Sequence, residues 1–178
     1  LPELSEDMSE NTDQPLELDN PFWHFSLAVY AMPGVQHECL SLQNEAGVNV
    51  NILLYCAWRG TVGDRLTGAK VERLAAAVQD WQANVVMPLR GARDYLKRFA
   101  GPANAGAKTL RSKILEAELL GEQVEQAILY KETASDFQPG EDRAAAIDAN
   151  LALCLKAHGK TPDDARSLKT NAERLARK

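Results

Sequence analysis

The chain is patterned almost throughout with a helical period. Its most apolar stretch, residues 50–58 (VNILLYCAW), holds one strongly polar side chain, Asn51. A run with no solvent side calls for burial all round, and it is far shorter than the roughly 20 residues of a membrane helix. The sequence therefore predicts a central core helix, capped by Asn49 and stopped by Gly60, with the rest of the chain wrapped about it.

The flanking patterns agree. Asn20-Pro21 offers a cap and a first-turn proline, followed by Phe22, Phe25 and Val29 on one face. Pro33-Gly34 ends that helix and opens another, with Val35, Cys39 and Leu42 on one side and Gly47 as its stop. After a glycine-rich turn at 60–68, Thr67 caps a long helix over about 70–99, which Pro88 is expected to kink or split. A linker at 101–106 leads to a helix over about 108–133, whose seam reads Leu110, Ile114, Ala117, Gly121, Val124 and Ile128. Gly121 invites close approach by a neighbour. A helix at 141–158 buries Ile147, Leu151, Cys154 and Leu155. Thr161-Pro162 then starts a last helix with only a thin stripe, Ala165, Leu168, Ala172 and Leu175. That stripe reads as frayed, or as needing a partner. The expected fold is all-α, an irregular bundle of six to eight helices around the buried central one. Residues 1–19 read as a disordered acidic arm, 20–158 as the helical domain and 159–178 as a peripheral C-terminal helix.

Composition narrows the function classes. The 178 residues are 45% hydrophobic with a net charge of -5, which suits one domain with its own core. An acidic chain needs a local basic patch to hold nucleic acid, so that partner is disfavoured. Cys39, Cys56 and Cys154 are far apart and form no CxxC pair, which reads as free thiols in a reducing cytoplasm. No zinc spacing, nucleotide loop or nucleophile motif occurs in the sequence, so no cofactor, metal or catalytic residue is assigned.

The stretch from Asn20 to Gly60, joined to W-x3-VV-x-PLR-x2-R-x-YLK at 81–97, resembles a family of uncharacterised proteobacterial proteins grouped as a domain of unknown function. The likeness covers about residues 20–128. It rests on Asn20, Pro21 and Trp23, on Pro33-Gly34-Val35, on Asn49-Val50-Asn51 and on Pro88-Leu89-Arg90. The resemblance implies a bacterial, cytoplasmic, helical protein and carries over no catalytic residue.

Two constellations remain as candidate sites. Arg90, Arg93 and Lys97 fall at i, i+3, i+7 on one stripe of the long helix, with Arg111 following. Such a stripe suits an anion or an acidic partner; the plainer reading is a solvated face balanced by Asp94, Glu116 and Glu118. His24, Asn51 and Arg59 flank the central helix and suit a small pocket; the plainer reading is polar groups satisfied within the fold, Arg59 by Asp64. The favoured function is a non-catalytic helical protein that binds an unidentified protein partner or a second copy, in regulation or assembly. The alternatives are a small-molecule binder or enzyme with a pocket beside the central helix, and nucleic-acid binding through the basic stripe.

Overall fold

Several helices start at a side-chain cap that the sequence offers. In α1 (Pro21–Tyr30) the Asn20 side chain accepts from the Trp23 amide at 2.9 Å. Gly34 and Gly47, both at positive φ, bracket α2 (Val35–Ala46). Asn49 caps α3 (Val50–Thr61) by accepting from the amides of Asn51 and Ile52. Thr67 caps α4 (Gly68–Trp81) and Asp142 caps α7 (Arg143–Lys156). The computed structural model describes residues 15–99, 104–132, 136–140 and 142–177. Most of the acidic arm, residues 1–14, lies outside the described residues. Among those described there is no strand; Asp64 and Pro139 meet in an isolated antiparallel bridge. No helix there is long and apolar enough to cross a membrane.

The central helix is as buried as its pattern demands. Leu53, Tyr55, Cys56 and Ala57 of α3 have no exposed surface. Its main neighbour is α7, which crosses at Gly60. A Cβ on Gly60 would lie 2.5 Å from the Ile147 Cα. Gly60 is therefore the crossing point of two helices and not the end of one; α3 runs on to Thr61. Beside it, Asn150 donates to the Cys56 and Asp64 carbonyls and accepts from the Leu66 amide.

Three expectations change on folding. First, the break expected at Pro88 falls ahead of it, between α4 and α5 (Met87–Phe99). They join through a π turn at Gln82–Val86, in which the Met87 amide bonds to the Gln82 carbonyl. The extra residue shifts the ladder just ahead of the proline, which has no N–H to give. Second, the last helix, α8 (Arg166–Ala176), follows a 3₁₀ turn at Pro162–Ala165 closed by a Thr161–Asp164 capping box. Its Leu168, Ala172 and Ala176 belong to the main core. A thin stripe suffices because small residues let α8 sit close to α3 and α7. Third, α6 (Ala105–Glu132) turns only part of its expected seam inward, Gly121 and Ile128, and leaves Leu110 and Ala117 exposed. It buries Ala107, Glu118, Gly121, Glu125, Gln126, Ala127 and Leu129, while Leu110 and Leu120 stay exposed. Carboxylates occupy that interface because α5 presents arginines to it.

A polar cleft beside the central helix

Between α1, α2, α3, α5 and α6 lies a cleft of about 330 Å³. The first turn of α3 forms one wall. There Asn49 and Asn51 donate through their amide nitrogens to the two oxygens of Glu125, at 2.6 and 3.1 Å. The Asn51 oxygen accepts from Gln126 Nε2 at 2.9 Å. Helix α6 forms the facing wall, since Glu118, Glu122 and Glu125 recur at i, i+4, i+7 and so share one face. Helix α5 supplies the cations. Arg90 reaches Glu118 at 2.9 Å and Glu122 at 2.7 Å, and Arg93 closes on Glu118 from the side. Trp23, Leu27, Leu40, Leu115 and Leu119 make the apolar remainder of the lining.

The charges are held in a partly dry setting. Burial raises the Glu122 carboxyl above its usual range; Arg90 lowers it, and Glu118 and Glu125 push it up further. Burial also raises Glu125, against the lowering effect of the two asparagine donors. Tyr30, at the same cleft, is pushed up to about 12, mostly by burial. The Arg93 guanidinium is held more firmly protonated by its bond to Glu118. Two polar atoms of the lining, Ser26 Oγ and Gln126 Oε1, are buried with no hydrogen-bond partner. Each such atom costs about 1–3 kcal/mol.

The residues singled out in the sequence are distributed unevenly. Arg90, Arg93 and Asn51 meet in this cleft. Lys97 is exposed further along α5, and Arg111 is half-buried near the start of α6. His24 points away to the surface, where it meets Asp19 at 2.5 Å. Arg59 is enclosed elsewhere: it pairs with the buried Asp64, donates to the Tyr55 hydroxyl at 2.6 Å and lies over the Phe137 ring. Its role is to tie the end of α3 to the following turn. Sequence reasoning placed Glu118 among the counter-charges but missed Glu122, Glu125, Gln126, Ser26 and Tyr30. The signal within reach was the helical spacing of 118, 122 and 125. Among the described residues no group of three or more His, Cys, Asp or Glu side chains is placed to hold a metal ion.

Fold and site together define a class: an all-α bundle with a charged, half-apolar cleft at the entry of its central helix. More particularly, a family model described as a protein of unknown function (DUF2390) matches residues 21–129, and the chain belongs to that family. The matched region contains every helix that walls the cleft. No curated protein and no solved structure matches the chain.

Proposed function

We propose that this protein binds a small organic molecule in the cleft, with a hydrogen-bond donor, above all a protonated amine, at its polar end and an apolar body toward the leucines. The observation that carries this reading is a cleft with leucines on one wall and more carboxylates than cations at its polar end. Ser26 Oγ and Gln126 Oε1 add two unpartnered polar atoms just behind its surface. Charge supports an amine. Glu118, Glu122 and Glu125 outnumber Arg90 and Arg93 in the lining, and both oxygens of Glu118 are committed to those arginines. Glu122 gives Arg90 one oxygen and keeps the other uncommitted. The volume is at the small end of the roughly 300–1,000 Å³ of ligand sites. The lining includes no histidine or cysteine, which favours capture over nucleophilic chemistry. The three buried free cysteines support a cytoplasmic setting.

Titration calorimetry at neutral pH with primary alkylamines, and with alkylcarboxylates and alcohols of equal length, tests this. Amines are expected to bind, carboxylates not. Glu122→Gln should weaken the amine by at least about tenfold, or ~1.4 kcal/mol. Carboxylates binding as well as amines, no binding by any probe, or indifference to Glu122→Gln would each overturn the reading.

A further inference from the structure

Part of the apolar seam expected along α6, Leu110 and Ala117, is exposed and joins Leu120 on an outward stripe. On α5, the positions 88, 92, 95 and 99 recur at i, i+4, i+7, i+11 and define one stripe, Pro88, Ala92, Tyr95 and Phe99. On α6, Leu110, Ala117, Leu120 and Val124 define another. Arg90 and Arg93 of α5, with Leu115, Leu119 and Glu122 of α6, look into the cleft. In an antiparallel helix pair the two opposite flanks then share the other side. There Tyr95 and Phe99 are each 59% exposed, and Leu110 and Leu120 are 52% and 53% exposed. The Tyr95 and Phe99 rings stack on each other, 6.0 Å apart, with no third ring in the stack.

We infer that this outer face of the α5–α6 pair is a self-association surface, on which a second copy of the chain packs to form a two-fold four-helix bundle. Charge selects the occupant. Among the described residues, Lys113 is the cation spaced into the α6 stripe, and its amine sits 3.0 Å from Glu116. Arg90 and Arg93 are on the other flank and bound to glutamates. A nucleic acid or an anionic membrane needs free cations among the apolar groups; an identical helix pair, whose Lys113 and Glu116 compensate each other, does not. Area agrees. At roughly 200 Å² per fully exposed large side chain, the four large residues alone offer about 450 Å². Pro88, Ala92 and Ala117, all exposed, bring the face toward the ~800 Å² per partner of a standard interface. Two helices with a common apolar side are also self-complementary about a two-fold axis.

Light scattering on the full chain, coupled to gel filtration over a range of concentrations, tests the inference. The expected mass is twice 19.5 kDa. Leu120→Lys and Phe99→Lys should each return it to the single-chain value while circular dichroism stays helical. Leu119→Lys, on the cleft flank, should leave the dimer intact. A single-chain mass for the unaltered protein at every concentration overturns the inference. So does a dimer that survives both outer-face variants or that Leu119→Lys breaks equally. Monomeric protein that instead sediments with anionic phospholipid vesicles, and loses this with Phe99→Lys, overturns it in favour of a membrane surface.

Discussion

At the scale of single residues, the fold keeps its charged groups by pairing them, and it pairs them where the backbone already converges. Arg59 and Asp64 are 2% and 1% exposed in their side chains, a combination tolerated because Tyr55 and the Asp136 carbonyl also accept from the guanidinium. Glu122 is the less complete case. Its carboxyl is raised above the ordinary 4.5, first by burial. The folded state therefore holds that proton more tightly than the unfolded chain. Its contribution to stability is complete below about pH 4.5 and is lost as pH rises through the folded value. Glu122→Gln removes this ionisation. In thermal unfolding at a series of pH values, the melting temperature of the variant minus that of the unaltered protein should shift in the variant's favour from pH 4.5 toward neutrality. A difference that stays flat, or falls, would show that Arg90 and not burial governs Glu122.

At the scale of elements, close backbone approach falls at Gly60, read in the sequence as a stop, and not at Gly121, where the sequence invited it. Gly60 sits where α3 meets the α7 backbone, and an added Cβ would collide with Ile147 Cα and N. Gly121 has Val85, Val86 and Leu89 at 3.6–3.9 Å, an ordinary contact distance that leaves room for a methyl group. Gly60→Ala should then separate the two most intimately packed helices and destabilise the protein by several kcal/mol, on the order of a severe core disruption. Gly121→Ala should be neutral or stabilising by up to about 1 kcal/mol, the helix propensity it gains. Urea unfolding of the two variants measures both. An equal loss in each would mean that the α5–α6 pair is as tightly closed as the α3–α7 crossing.

At the scale of the whole molecule, order is unevenly distributed. The core cluster gathers α1, α2, α3, α7 and α8 around Leu53, Tyr55 and Ile147, whereas α5 buries no residue and residues 105–117 of α6 bury only Ala107. Amide hydrogen exchange at low protein concentration should find α3 protected to the level of global unfolding. Exchange in α5 and in residues 105–117 should be markedly faster. Uniform protection along the chain would contradict this picture of a firm core and a laterally attached helix pair.

What the sequence determined by itself is the set of helices and their centre. Caps at Asn20, Asn49 and Thr67, the stop at Gly47 and the unbroken apolar run of α3 act through neighbours a few residues away, so their consequences are local and readable. The tertiary structure decided which faces meet. It set Glu118 and Glu122 against Arg90 and Arg93, brought Glu125 under Asn49 and Asn51 from 76 and 74 residues away, and left Leu110 and Leu120 facing out. Two stripes on α6, one apolar and one acidic, were each a sound helical face. Only the arginines presented by α5 chose between them, because a buried guanidinium without a carboxylate costs more than an exposed leucine.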